Sequence, residues 1–404
     1  MQIKAFSDNI SRNMKFTFSS PKKTNKSSAV VSVSESKDTE VLRQGDAREI
    51  VLGAGEAGEM TLRKLRMLAR QGVALAKKSK IATLYLDPKE FTFISVGIDD
   101  AKLGELLAVE MQMAGYEFNE YKTKPKEGWP EVREVGFTGR VSKGFKDGVA
   151  RGRTIGGAVN MCRDLSNAPG GVMTPELLAK AAQALAAGTK KVKCKTYKYA
   201  DLKKMKAGGI LGVGRGSKTQ PTLSVLEYKG GKKNERPIVL IGKGITFDSG
   251  GLNIKPGDYM NEMHMDMSGA AAVINSIIAA AKLGIKKNII ALIPAAENMP
   301  GGESYRPGDV LRTMSGKTIE VADTDAEGRV ILSDALFYAG RYKPRLVLDV
   351  ATLTGAIEVA LGKLASGLFT RDAKLMMEAL EWAEESGEYL WPMPMWEEYE
   401  ESIK

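Results

Sequence analysis

Residues 321–330 read VADTDAEGRV and set Asp323, Asp325, Glu327 and Arg329 at alternate positions, directly before the helix-like stretch ILSDALFYA. In extended backbone, alternate residues face the same way, so Asp325 and Glu327 can act on one centre while Ala326 turns toward packing. Any one such acidic turn is by default only solvated surface. Two further segments change that reading. VLIGKGITFDSGG carries an apolar strand into Lys243 and Asp248, where glycines allow a sharp turn, and MHMDMSGAAAV sets Asp266 immediately before a small-residue helix. IPAAENMPGG ends another strand. Acidic loops at one edge of a single sheet bring Asp248, Asp266, Asp325 and Glu327 together.

Four clustered carboxylates repel, and burying them unpaired is costly. Divalent cations resolve the conflict, and four acids carry enough charge for two of them, with shared carboxylates holding a pair about 3.5–4 Å apart. Other hydrolytic chemistries are poorly supplied. The chain of 404 residues has one histidine, His264, which excludes histidine-rich metal sites and leaves nucleophilic-serine or -cysteine schemes a single base. Two cysteines, Cys162 and Cys194, cannot form a disulfide framework or a thiolate cluster, which fits a reducing compartment.

The elements that must position these acids alternate regularly after about residue 166. TPELLAKAAQALAAG predicts a helix with Thr174 as N-cap, Pro175 at its first turn and Gly188 as its stop. KVKCKTYKY, PTLSVLEYKG, RPIVLIGKG, KNIIALIPA and PRLVLDVATL read as strands; DLKKMKAG, SGAAAVINSIIAAAKLG and GRVILSDALFYAGRY read as helices. Continuous apolar strands between helices predict an α/β fold with a mostly parallel central sheet covered on both faces. Ligands of such sheets collect beyond the carboxyl ends of the strands. Upstream, short apolar runs and a helix over MTLRKLRMLARQGVALAKK predict a small N-terminal α/β domain over 1–130. A charged, proline-containing connector and a linker helix over 131–165 follow, and a catalytic domain occupies 166–404.

The net charge of +10 is spread evenly, since residues 1–150 hold 25 basic against 20 acidic residues. Only the first thirty residues are locally biased, with six basic residues against Asp8. A diffuse excess supports solubility and does not define a nucleic-acid surface. MQIKAFSDNISRN lacks a signal-peptide core, and no run of about 18 apolar residues occurs, so a cytoplasmic protein without membrane partners is expected.

From about residue 145 the chain resembles the leucyl aminopeptidase (cytosol aminopeptidase) family of two-metal exopeptidases. GKGITFDSGGLNIKP, MDMSGAAAV, ENMPGG, YRPGDVL, MSGKTIEV, TDAEGR and DVATLTGA match it in order. The resemblance implies that Lys243 and Asp266 bind the tighter metal, Asp325 the looser, and Asp248 and Glu327 both. It implies that Lys255 stays charged and supports the substrate carbonyl. Arg329 is implied to hold bicarbonate, a proton acceptor that makes a catalytic histidine unnecessary. Met263, Thr352, Leu353 and Thr354 would line the substrate site, with the Leu353 backbone taking hydrogen bonds, around an apolar pocket that prefers leucine-like residues. Substrates would be short peptides, and the assembly a homohexamer, a dimer of trimers, built through a variable N-terminal domain.

Two positions depart from the family pattern: Asp323 replaces the usual asparagine, adding charge near the metals, and Val330 replaces leucine. Family members also continue past WPMPMWEEYEESIK, through elements that help close the substrate pocket and join subunits. His264 is expected to pack or to support the site rather than react. The oxygen ligands suit manganese or magnesium, and the lysine nitrogen suits zinc. The alternatives are a nucleic-acid-binding hexamer with secondary peptidase activity and a catalytically impaired scaffold.

Overall fold

A computed structural model describes residues 14–18 and 25–403. The MQIKAFSDNISRN stretch and four of the six early basic residues (Lys4, Arg12, Lys22, Lys23) lie outside the described residues. Packing divides the chain into two compact units, Met1–Ala351 and Thr352–Lys404.

The first unit begins with a six-stranded sheet of β1 (Lys15–Phe18), β2 (Ser28–Ser34), β3 (Glu40–Gln44), β4 (Ala47–Gly53), β5 (Thr83–Leu86) and β6 (Glu134–Phe137). Its order is β1-β6-β5-β2-β4-β3, and only the β3–β4 pair is antiparallel. Helices α1 (Leu62–Lys78), α2 (Asp100–Ala114) and α3 (Lys143–Ser166) accompany it. Leu65, Leu68, Ala69, Val73 and Ala76 recur at helical spacing on α1 and are all buried. Strand β6 lies inside the segment read as connector, so this sheet extends past residue 130. Four residues, EVGF, are too few to show a strand period.

The second sheet is the one that carries the acids. Its path is β14-β9-β11-β8-β7, with β10 also pairing β11, where β7 is Val192–Tyr197, β8 Thr222–Lys229, β9 Ile238–Gly242, β10 Gly244–Asp248, β11 Asn288–Asn298 and β14 Leu346–Val350. Strands β14, β9, β11 and β10 are parallel and β8 runs against them, while β7, antiparallel to β8, again points the same way as β11, so the sheet is mixed. The link from β8 to β9, residues 230–237, is too short for a crossover helix. Between β11 and β14 lies the hairpin of β12 (Val310–Arg312) and β13 (Thr318–Glu320).

Helices cover both faces: α4 (Pro175–Ala187) and α7 (Ser268–Lys282) pack one core with Leu178, Ile274 and Ile277. On the other face α5 (Tyr199–Lys204), α6 (Gly208–Val213) and α8 (Glu327–Ala339) pack another with Leu202, Ile210 and Ile331. Each such side chain contributes about 1.5–3 kcal/mol by leaving water. The Thr174 hydroxyl caps α4 by accepting from the Leu177 amide at 3.2 Å. Edge strand β7 exposes Lys193 and Lys195, which discourages pairing with another chain. The small residues opening α7 have a geometric purpose. A Cβ on Gly269 would stand 2.1 Å from the Val350 carbonyl oxygen, and one on Gly242 2.5 Å from the Gly269 oxygen. Bare backbone lets α7 start against the ends of β9 and β14.

The second unit contains α9 (Gly355–Leu361), α10 (Ala373–Ser386) and a parallel pair of β15 (Ser366–Leu368) with β16 (Leu390–Pro392). Among the described residues no helix is long and apolar enough to cross a membrane.

Candidate metal centre

Lys243 follows directly on β9. Its amide donates to the Val350 carbonyl of β14 at 3.0 Å, and its carbonyl accepts from Ala270 of α7 at 2.9 Å. With the backbone fixed between strand and helix, the side chain is 2% exposed and its Nζ lies 2.8 Å from Asp266 Oδ2 and 2.9 Å from Glu327 Oε1. Asp248 closes β10. The next turn needs left-handed backbone, with Gly250 at φ +85°, and brings Lys255 back, its amide donating to the Ser249 carbonyl at 2.9 Å. Lys255 Nζ then lies 2.9 Å from Asp248 Oδ2 and 2.6 Å from Asp325 Oδ1. Carboxylate oxygens of Asp248, Asp325 and Glu327 all lie within 4.8 Å of one another. Five elements thus deliver four carboxylates and two ammonium groups to one pocket.

The pocket is electron-rich, and its titrating groups report it in one sense. Burial works against charge on Lys243, yet Asp266 and Glu327 outweigh it and hold the ammonium above the ordinary lysine range. Lys255 shifts upward similarly: burial opposes its charge, but Asp325 and Asp248 prevail. Burial pushes the Glu327 carboxyl up to about 7. Lys243 pulls it down and the Asp248 and Asp266 carboxylates push it further up. Asp325 rises by burial and by repulsion from Asp248 and Asp323, against the pull of Lys255. An acid and its lysine partner both hold protons tightly because negative charge exceeds positive.

That surplus is the test of fit for cations. Glu327 is 1% exposed, and its Oε2 has no hydrogen-bond partner among the described residues. A buried carboxylate oxygen left so is costly unless an ion takes it. Oxygen-rich donors with one amine suit divalent cations of the manganese and zinc type. The residues present therefore fit divalent cations.

Chain profiles of the "Cytosol aminopeptidase family" match twice, the catalytic domain over residues 160–404 and the N-terminal domain over 19–125. The chain belongs to the cytosol aminopeptidase family. A probable cytosol aminopeptidase of Syntrophotalea carbinolica is 40% identical over 362 residues, 89% of this chain and 72% of that protein. One from Geobacter sulfurreducens is 42% identical over 359 residues, covering 88% and 71%. Among solved structures, the bottromycin maturation enzyme BotP in complex with Mn superposes with TM-score 0.82 at 31% identity, covering 93% of this chain and 83% of that one. A tomato leucine aminopeptidase variant gives TM-score 0.84 at 26% identity, covering 97% and 84%. Family membership and the acidic cluster together support a metal-dependent aminopeptidase.

The other predicted site residues are less concentrated. Met263 and His264 are half-buried in the turn that leads to Asp266. Arg329 is exposed in the first turn of α8. Thr352, Leu353 and Thr354 are exposed and belong to the C-terminal unit. Asp323 serves the turn directly, its Oδ1 accepting from the Asp325 amide at 2.8 Å, and Val330 is 5% exposed in the core under α8. Three residues that sequence reasoning gave no role lie behind the acids. Asn298, Tyr305 and Thr324 are buried and hydrogen-bonded to one another or to Asp248. Asn298, Tyr305 and Thr324 stand in the family-like segments ENMPGG, YRPGDVL and TDAEGR, which was the available signal.

Proposed function

We propose that this protein hydrolyses the N-terminal peptide bond of short peptides with two divalent cations, preferring leucine-like first residues. The observation that carries the reading is the buried Glu327 carboxylate, whose Oε2 lacks a hydrogen-bond partner among the described residues, within 4.8 Å of Asp248 and Asp325 oxygens. In this reading Lys243 and Asp266 hold one ion, Asp325 the other, and Asp248 and Glu327 both. Bound cations would supply Lewis acidity toward the scissile carbonyl and lower the pKa of a shared water. Lys255, charged in its acidic surroundings, offers a donor for negative charge growing on the carbonyl oxygen. Arg329 would hold bicarbonate as the proton acceptor. Met263 would contribute to binding the first side chain, Thr352 and Thr354 would serve as substrate-binding residues, and the Leu353 backbone would accept hydrogen bonds from the substrate.

An N-terminal domain carried past residue 130 to include β6, a linker helix ending near 165, a catalytic domain over 166–404, a homohexamer and a cytoplasmic location complete the proposal. Cys162 and Cys194, which form no disulfide among the described residues, and the naming of the relatives support the location. The test is hydrolysis of leucine p-nitroanilide by metal-stripped protein with manganese, zinc or cobalt restored. Activity should require added metal and collapse in Glu327→Ala. Metal-restored protein of native mass that releases no N-terminal residue overturns the reading.

A further inference from the structure

Lys255 is not the only group that ties the Asp248 loop to the Asp325 turn. Thr324, between two more exposed aspartates, is fully buried, and each of its polar groups is engaged. Its amide donates to Asn253 Oδ1 at 3.0 Å. Its hydroxyl donates to the Gly250 carbonyl at 2.6 Å and accepts from the Asn253 amide at 2.8 Å. Its carbonyl accepts from Asn298 Nδ2 at 3.0 Å and from the Tyr305 hydroxyl at 2.6 Å. Asn298, also fully buried, gives its second amide hydrogen to Asp248 Oδ1 at 2.8 Å. Its Oδ1 accepts from none of the described residues, so the side chain is used for its donors.

We infer that Asn298, Thr324 and Tyr305 are positioning residues: they clasp the Asp248 loop and the Asp325–Glu327 turn at the separation a pair of cations needs. One planar amide nitrogen spans the two acid-bearing segments, and Tyr305 seconds it on the same carbonyl. The clasp differs from Lys255 at the Asp325 turn. Lys255 grips a carboxylate oxygen of both Asp248 and Asp325, whereas the clasp takes one oxygen of Asp248 through Asn298 and holds Thr324 through its backbone and hydroxyl, leaving the Asp325 and Glu327 carboxylates to the ions. Neutral donors also add no charge to compete with a metal. Hydrogen bonds of this supporting kind are commonly worth 10- to 100-fold in metal affinity or activity.

The inference rests on the two-metal reading above, and its test does not depend on turnover alone. Manganese affinity and stoichiometry are measured by calorimetry and by electron paramagnetic resonance of the bound ion, beside kcat and KM for leucine p-nitroanilide. Thr324→Val keeps the shape and loses the hydroxyl, Thr324→Ser keeps the hydroxyl, and Tyr305→Phe removes one donor. Thr324→Val should weaken the looser ion about 10- to 100-fold and lower kcat, with KM little changed. Thr324→Ser should recover affinity to within about threefold of wild type, and Tyr305→Phe should fall between them. Wild-type affinity in Thr324→Val overturns the clasp, as do equal losses in Thr324→Val and Thr324→Ser, which mark packing alone. Wild-type protein that binds no manganese overturns both readings. Wild-type protein that binds two ions without cleaving peptides removes the aminopeptidase reading and leaves the clasp to be decided by the variants' affinities.

Discussion

Gly328→Ala should separate metal binding from folding. Gly328 is the second residue of α8, and a Cβ there would lie 2.6 Å from Lys243 Cε and 2.9 Å from Lys243 Nζ. Reaching 3.4 Å, the short end of ordinary contact, requires Lys243 to retreat about 0.8 Å. A flexible lysine would do so freely on a surface. Here its amine is confined by Asp266 and Glu327 at 2.8 and 2.9 Å, with 2% of the residue exposed. Complete loss of a buried ion pair costs roughly 3–5 kcal/mol. Alanine in place of glycine within a helix returns up to about 1 kcal/mol. The net cost is at most about 2–4 kcal/mol, and at about 2–4 °C per kcal/mol for a domain of this size the metal-free variant should stay folded with Tm lower by at most roughly 4–16 °C.

Function should suffer far more, because a ligand misplaced by about 1 Å costs on the order of a hundredfold. Manganese affinity at the tighter site should fall by about that factor, and kcat with it. Gly340→Ala is the control: it sits at the other end of α8, and an added Cβ meets nothing within 4 Å. Both variants are read by circular dichroism melting without metal and by calorimetric titration with manganese. Wild-type manganese affinity and kcat in Gly328→Ala would show that Lys243 is not held where the geometry puts it. Equal losses in the two variants would refute the steric argument.

Three further outcomes follow from the same pocket. Lys255→Met should lower kcat about 10²- to 10³-fold while both metals still bind, since its ammonium competes for Asp248 and Asp325 oxygens; loss of metal instead would make Lys255 structural. Asp323→Asn keeps an acceptor for the Asp325 amide and removes only charge. Metal affinity by calorimetry should fall roughly two- to fivefold with unchanged Tm, and a larger loss would refute the capping role. In metal-free protein, Glu327 holds its proton more tightly folded than unfolded, where its pKa is 4.5. Its contribution to stability is full below that value and lost as pH rises through about 7. Metal-free Tm should decline across this window more steeply in wild type than in Glu327→Gln; equal slopes would refute the shift.

How much of this was legible in the sequence follows from what each residue offers a reader. Asp248, Asp266, Asp325 and Glu327 were visible as a group, because each alone reads as solvated surface but their loops share one sheet edge, and Lys243 was legible through the family resemblance. The parallel half of the central sheet was visible for a related reason, since apolar runs such as IVLIG and NIIALIPA leave no solvent face. The reversed β8 has similar apolar content, and only the short link at 230–237 distinguishes its direction, whereas edge strand β7 alternates lysines with partly buried residues. Strand β6 was hidden by its four-residue length.

Asn298, Thr324 and Tyr305 were hidden for a different reason. Asparagine after a strand and threonine in a turn are ordinary loop residues by type, and Tyr305 stands beside arginine and proline in what reads as a surface turn. Their importance lies in convergence on the Thr324 carbonyl from positions 19 and 26 residues away. Register and burial create that convergence; no local pattern encodes it. Charge is readable one residue at a time, whereas the geometry that makes charge useful is a property of several segments at once. An acidic pocket without neutral donors behind it would hold the same ligands at unspecified distances, and cations discriminate by distance. In the proposed reading the acids supply the chemistry, and the uncharged hydrogen bonds behind them set the distances at which cations would be held.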